Sequence, residues 1–318
     1  MRILIATDGS PSAGLAMELV AALRWPAGSA FRIVSVVPRG ANLAMTWSPE
    51  RPDVEELDRY RDPVVRSHAV ALADAERELG AAQPGARIDR FLLRGRAASL
   101  IVQEARDFAA DLVVVGHRGR GTIETMLLGS VSAEVVDHAP CAVLVARSAE
   151  PGPVVFADDG SPSAHVAASV LEQLPLPRGT PVTVLTVSDD SFPYETAVSP
   201  GLYSEAMTMY EQSKEEANRQ ASAVAAAAVA RLGDAGFHAN AFARSGDPAH
   251  EIVAYAREHQ ARLLVLGTRG HTGLRRLMLG SVARNVLLHA PCSVLVVRES
   301  VVPPADGDAL IHAAMSER

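Results

Sequence analysis

Short apolar runs alternate with longer amphipathic segments along the first half of this chain. The apolar runs predict strands at RILIAT (2–7), FRIVSVV (31–37), RIDRFLL (87–93), DLVVVG (111–116) and AVLVAR (142–147). Helices are predicted between them at SAGLAMELVAALRW (12–25), a charged segment around 55–79, ASLIVQEARDFA (98–109) and SVSAEVVDHA (130–139). Runs such as DLVVVG are apolar throughout, which is typical of strands covered by helices on both faces. The alternation predicts an α/β fold with a parallel, doubly wound sheet.

The same order of elements occurs twice. ILIATDGSPSA (3–13) matches VVFADDGSPSA (154–164), and GHRGRGTIETMLLGSV (116–131) matches GTRGHTGLRRLMLGSV (267–282), at a constant offset of 151 residues. A repeat of this kind indicates a duplicated domain. We therefore predict one domain at 1–147, a second at 154–298 and a C-terminal tail at 299–318, with SAEPGPV (148–154) as the linker.

Composition narrows the functional class. The formal net charge of -7 argues against a nucleic-acid partner, because binding to a phosphate backbone needs a concentrated basic surface. No apolar run approaches the roughly 20 residues of a membrane-spanning helix, and the N-terminus lacks the pattern of a signal peptide. Two cysteines are too few for a disulfide framework. These features predict a cytoplasmic protein without a membrane partner.

Two motifs follow strands whose ends face the same edge of the sheet. Ligands of such sheets lie beyond the carboxyl ends of the strands, where the strand order reverses. ATDGS ends the first strand and the glycine-rich loop begins at the end of the fourth, so neighbouring strands would place both motifs on one crevice. Asp8, repeated as Asp159, has two open roles: accepting hydrogen bonds from a ribose hydroxyl or adenine amine, or bracing the turn.

The glycine-rich loop resembles a Walker A frame but departs from it. Thr122 stands where that motif has lysine, and the second copy has Thr272 in place of Gly121. Both copies keep the pattern G-x2-G-x9-G-S, and its members are Gly116, Gly119, Gly129 and Ser130, and Gly267, Gly270, Gly280 and Ser281. Backbone N–H groups, a helix N-terminus, the serine hydroxyl and a nearby Arg118 or Arg269 favour phosphate binding at this loop.

With these motifs, residues 1–298 resemble two tandem copies from the ATP-binding branch of the universal stress protein family. The resemblance implies two tandem five-stranded parallel doubly wound sheets of strand order 3-2-1-4-5, with helices on both faces. It implies ATP, with or without Mg²⁺, as the ligand, with its phosphates in the glycine loop. The adenine end is expected against the strand-end aspartate and a valine late in the second strand, Val36 or its neighbour and Val187.

The resemblance also defines the expected nucleotide contacts and partners. The contact residues are Thr7, Asp8, Val36, Val115, Gly116, Arg118, Gly119, Gly129, Ser130 and Val131, and Asp159, Val187, Leu266, Gly267, Arg269, Gly270, Gly280, Ser281 and Val282. The final strands of the halves are expected to pair within the chain. An unidentified protein partner and a homodimer are further expectations.

The resemblance, together with the loop residues, implies a regulatory ATP-binding protein of the stress response with at most slow hydrolysis. Glu124 lies in the first loop, but its counterpart is Arg275, so the copies share no visible catalytic base. Two alternatives remain open: an ATP-using enzyme on a related scaffold, such as an adenylating ligase, and a structural module without nucleotide. Because Thr7 is replaced by Asp158 in the second copy, we expect the first site to bind ATP more tightly, unless a metal or Arg269, Arg275 and Arg276 offset the added charge.

Overall fold

A computed structural model describes residues 1–40, 62–119, 127–188, 203–268 and 279–298, and the side chains of residues 203–206 are outside this description. The strands are β1 (Arg2–Ala6), β2 (Ala30–Val37), β3 (Arg87–Arg94), β4 (Leu112–Gly116), β5 (Ala142–Ala146), β6 (Val154–Ala157), β7 (Val182–Ser188), β8 (Ala239–Ser245), β9 (Leu263–Gly267) and β10 (Ser293–Val297). The helices are α1 (Pro11–Ala22), α2 (Pro63–Ala82), α3 (Ala97–Asp107), α4 (Ser130–His138), α5 (Pro162–Gln173), α6 (Tyr203–Asp234), α7 (Pro248–Glu258) and α8 (Ser281–His289). The predicted alternation of strands and helices is confirmed.

Within the described residues, all of these strands form one sheet, in the order β3-β2-β1-β4-β5-β10-β9-β6-β7-β8. Each half has the predicted order 3-2-1-4-5 with parallel pairing, and β1 lies between β2 and β4. The expected pairing of the two final strands is confirmed, because β5 and β10 pair antiparallel and join the two five-stranded halves into one continuous sheet. Both strands are buried along their whole length, so each would expose an apolar edge without the other.

Helices cover both faces of the sheet, as predicted. One apolar layer includes α1, α2, α5 and α6, and the other includes α3, α4, α7 and α8. Each layer runs through both halves: Ile5 and Phe156 belong to the first, and Leu4 and Leu264 to the second. The chain therefore folds around two cores that the halves share.

The predicted helix around 55–79 begins later than expected. Helix α2 starts at Pro63, with the Asp62 side chain accepting a hydrogen bond from the Val64 backbone N–H (2.8 Å). An aspartate cap followed by proline is a strong signal for a helix start. The prediction overlooked it because the charged residues before it also fit a helix. Residues 55–61 of the prediction lie outside the described residues.

Candidate functional site

A cleft of about 390 Å³ opens at the carboxyl ends of β1 and β4. The structure brings together here every residue predicted for the first half: Thr7, Asp8, Val36, Val115, Gly116, Arg118, Gly119, Gly129, Ser130 and Val131. The two motifs therefore flank one crevice, because β1 and β4 are neighbours in the sheet. We call this the first cleft.

The turn after β1 forms the floor of the first cleft. The Ser10 backbone N–H donates to Asp8 Oδ1 (2.9 Å), and the Gly9 N–H donates to Thr7 Oγ1 (3.2 Å). Ser10 also caps α1 by accepting from the Ala13 N–H, and its hydroxyl donates to the Arg118 carbonyl (3.3 Å). Asp8 thus braces the turn, and the turn is bonded to the glycine loop.

The glycines of the loop permit close packing as well as backbone exposure. A Cβ at Gly116 would lie 2.6 Å from the Ser12 backbone, and one at Gly119 would lie 2.8 Å from Asp8 Oδ2. Real Cβ atoms essentially never lie within 3.0 Å of such a neighbouring atom. Gly116 is therefore required where the end of β4 meets the first turn of α1, whether or not a ligand is bound.

The side of the first cleft formed by the glycine loop carries hydrogen-bond donors without a side-chain partner among the described residues. Helix α4 begins after Gly129 with no side chain capping its first turn, and Ser130 is its first residue. The Ser132 hydroxyl donates to the Gly116 carbonyl (2.6 Å) and holds the helix against the strand end. Arg118 Nε is buried with no hydrogen-bond partner among the described residues. An anion at this position would satisfy both sets of donors.

Sequence reasoning missed His68, which lines the first cleft from α2 and is 7% exposed. The Ser35 hydroxyl donates to the Thr7 carbonyl (2.5 Å), so its oxygen is left to accept from His68 Nδ1 (2.8 Å). In this arrangement Nδ1 of His68 carries a proton, because it is the donor to the Ser35 oxygen. The apolar period of α2 places His68 beside Val65 and Leu72, but no sequence signal linked that helix to the cleft.

The second half has a smaller cleft, of about 170 Å³, at the carboxyl ends of β6 and β9. The predicted residues that line it are Asp159, Val187, Leu266, Gly267, Gly280, Ser281 and Val282. Arg269 and Gly270, also predicted for this site, lie outside the described residues. Helix α8 begins after Gly280 without a side-chain cap, as α4 does after Gly129. We call this the second cleft.

A carboxylate replaces a hydroxyl on the floor of the second cleft. Asp158 stands where the first half has Thr7, is 4% exposed, and accepts from the Gly160 N–H (2.8 Å) through Oδ1. Burial raises the pKa of Asp158, Asp159 adds to this rise, and the Gly160 hydrogen bond opposes it. Its ionised form is therefore less favourable here than in water.

No catalytic arrangement is visible in either cleft among the described residues. These residues also contain no group of three or more His, Cys, Asp or Glu side chains that could hold a metal ion. Glu124 and Arg275 of the two loops lie outside the described ranges. Within the same ranges, no helix has the length and apolar character needed to cross a membrane.

The sequence is similar to known tandem proteins over nearly its whole length. The profile of the Universal stress protein family matches residues 1–147 and again residues 152–298. Universal stress protein Rv1996 of Mycobacterium tuberculosis is 30% identical over 310 residues, which cover 93% of this chain and 94% of that protein.

Solved structures share the fold at lower sequence identity. A universal stress protein from Archaeoglobus fulgidus superposes with a TM-score of 0.58 at 18% identity, covering 94% of this chain and 98% of its own. Protein PA1789 of Pseudomonas aeruginosa gives a TM-score of 0.57 at 18% identity, with coverages of 99% and 97%. These similarities establish the tandem fold.

Proposed function

This chain belongs to the universal stress protein family, and we propose that it is a regulatory protein that binds adenine nucleotide in its clefts, with ATP in the first. The observation that carries the proposal is the set of unused donors at the first cleft, namely the uncapped start of α4 and the buried Arg118 Nε. Partial positive charge on first-turn N–H groups and a nearby guanidinium favour a polyphosphate.

The lining of the first cleft suits the two parts of ATP. Val34, Val36 and Ile101 supply apolar lining suited to a base, and Ser130 and Arg118 supply polar lining suited to phosphates. A volume of about 390 Å³ is within the roughly 300–1,000 Å³ of small-molecule sites. Mg²⁺ that accompanies ATP would be held mainly by phosphate oxygens and water.

Replacing the donors on the phosphate side should weaken ATP binding to the full-length protein. We expect Ser130→Ala and Arg118→Gln each to weaken binding about 10- to 100-fold, because each removes one hydrogen bond to a charged group. Isothermal titration calorimetry with ATP measures this change.

The matched controls are Ser99→Ala and Arg178→Gln, the same substitutions at exposed positions that line neither cleft. Their ATP affinities should equal that of the unmodified protein. If Ser130→Ala and Arg118→Gln bind ATP as tightly as the controls, this loop does not bind the phosphates. Mass spectrometry of nucleotide released from the purified protein identifies the ligand independently.

We propose that the protein responds to bound ATP without turning it over rapidly. Phosphoryl transfer needs a positioned base or water-orienting group besides charge stabilisation. We expect phosphate release well below about 1 per second at saturating ATP, which is the low end of ordinary enzymes. Faster release that depends on Arg118 would favour the alternative, an ATP-using enzyme on this scaffold.

A regulatory role requires a partner that distinguishes the nucleotide-bound form. We propose a cytoplasmic protein partner and self-association into a homodimer. Size-exclusion chromatography with light scattering, with and without ATP, tests self-association. A mass that stays monomeric in both conditions would exclude the homodimer.

A further inference from the structure

We infer that Arg298, which follows β10 at the end of the second half, is a positioning residue for the first cleft. It holds α4, the helix whose first residue, Ser130, lines that cleft. In the same way, Arg147 of the first half holds α8. The inference rests on the proposed function and extends it, because it makes nucleotide binding in one half depend on a residue of the other.

The last turn of α4 has a carbonyl group that needs a donor from outside the helix. In an α-helix the Val136 carbonyl would accept from the residue four places on, but that residue is Pro140, which has no N–H. Arg298 Nη2 supplies a donor, because it lies 2.7 Å from the Val136 carbonyl and also donates to the Asp137 carbonyl. A cation at this end also meets the negative pole of the helix. The C-terminus of α4 is therefore held by the second half.

The second half has the same arrangement at the repeat offset. The residue four places after Leu287 of α8 is Pro291, and Arg147 Nη2 donates to the Leu287 carbonyl (2.7 Å). Both pairs, Val136 with Arg298 and Leu287 with Arg147, join a helix of one half to the strand end of the other. Each half therefore caps the helix that begins at the cleft of its neighbour.

A short helix transmits a constraint from one end to the other. Helix α4 has 9 residues, so Val136 lies about 9 Å along the helix axis from Ser130. No side chain caps its first turn, and the hydroxyl of Ser132 bonds to the Gly116 carbonyl (2.6 Å). Arg298 holds the opposite end. The position of the first-turn N–H groups at the first cleft therefore depends on contacts at both ends of α4.

Hydrogen exchange of the full chain without nucleotide tests whether each half holds the helix of the other. We expect Arg298→Ala to speed amide exchange about tenfold in α4 and not in α8, because it removes hydrogen bonds to α4 alone among the two helices. Arg147→Ala should speed exchange in α8 and not in α4.

The matched control is Arg178→Ala, the same substitution at an exposed position that lines neither cleft, and it should leave both helices unchanged. Equal acceleration of α4 and α8 by either variant would indicate general loosening and would overturn the inference. Unchanged exchange in α4 after removal of Arg298 would overturn it as well.

Calorimetry with ATP tests the consequence for the first cleft, whose binding is identified by its weakening in Ser130→Ala. We expect Arg298→Ala to weaken this binding about tenfold, a typical size for coupling between separate positions. Arg298→Lys should restore most of it, because an ammonium group can donate to the same two carbonyls. Arg298→Gln, which keeps an N–H donor without the charge, replaces Arg298→Ala if that variant does not fold.

Ser293→Ala is the control for this measurement, because it changes hydrogen bonds of the same seam that do not involve α4, and its ATP affinity should stay unchanged. An ATP affinity that Arg298→Ala leaves unchanged, or an equal loss in Ser293→Ala, would refute the positioning role. Absence of ATP binding to the unmodified protein is a separate result, because it rejects the proposed function and the link to nucleotide. The exchange pattern then still decides whether the halves hold each other's helices.

Discussion

At the residue scale, Gly116 shows that one position can serve the core and the cleft together. Its Cα lies against the first turn of α1, where a methyl group would approach the Ser12 backbone to 2.6 Å. The sequence provided one reason for this glycine: in the shared G-x2-G-x9-G-S pattern, glycine leaves the backbone N–H groups open to a phosphate. The structure adds a second reason, steric contact between helix and strand, and that contact is independent of any ligand.

Alanine at Gly116 should therefore lower the stability of the unliganded protein. We expect Gly116→Ala to reduce the free energy of unfolding by about 1–3 kcal/mol, because overpacking forces the strand end and α1 apart. Chemical denaturation without nucleotide measures this change.

Gly14 in α1 is the matched control, because no atom lies within 4 Å of a Cβ built there. Gly14→Ala should raise the free energy of unfolding by about 0.5–1 kcal/mol, since alanine loses less backbone entropy in a helix interior. A neutral Gly116→Ala would contradict the steric explanation.

For the strand-end aspartate Asp8, residue type alone did not distinguish a structural role from a ligand-binding role. For Asp8 the sequence left ligand contact and bracing as alternatives, and the structure shows the brace through the Ser10 N–H. The ligand role remains a prediction. His68 was missed because the pairing with Ser35 joins a helix to a strand 33 residues away.

At the element scale, the helices differ in how they begin. Ser10 and Ser161 cap α1 and α5 with their side chains, and proline follows each of them. Gly129 and Gly280 precede α4 and α8 without such caps, so the first-turn N–H groups of those two helices face the clefts. The sequence predicted the second kind of start, from the glycine-serine pair that ends the loop in both copies.

The strands were predicted well because their apolar runs are long and continuous. Buried parallel strands need no alternation, and runs such as LVVVG and AVLVA leave little choice of element. The start of α2 was predicted too early, because the charged residues that precede it resemble the exposed face of a helix. The true start is defined by a local contact, the hydrogen bond that Asp62 accepts from Val64.

At the scale of the whole molecule, the seam between β5 and β10 joins the halves through buried contacts. Leu144 pairs with Leu295 across the seam. The Ser293 hydroxyl, at 0% residue exposure, accepts from the Arg147 N–H (3.1 Å) and the Ser148 N–H (3.2 Å). Ser293 thus ties the end of the first half to the last strand of the second.

Removing this hydroxyl should weaken the joined fold. We expect Ser293→Ala to lower the free energy of unfolding by about 1–3 kcal/mol, because it leaves two backbone N–H groups without their partner. The chain should still unfold in a single transition, since both cores run through the two halves. Calorimetric and circular-dichroism melting measure both quantities.

The control is Ser99→Ala at an exposed position of α3, which should leave stability unchanged. Two separate transitions, with only one of them shifted by Ser293→Ala, would show that the halves fold independently. That outcome would contradict a shared core.

The sequence by itself determined the duplication, the α/β class, most element positions and the residues that meet at the first cleft. Apolar period, repeat offset and strand-end motifs are local properties, and parallel topology brings strand ends to one edge. Tertiary structure alone decided the antiparallel register of the seam between β5 and β10, the steric need for Gly116 and the unequal sizes of the clefts. These depend on distances between residues far apart in the chain, which only packing establishes.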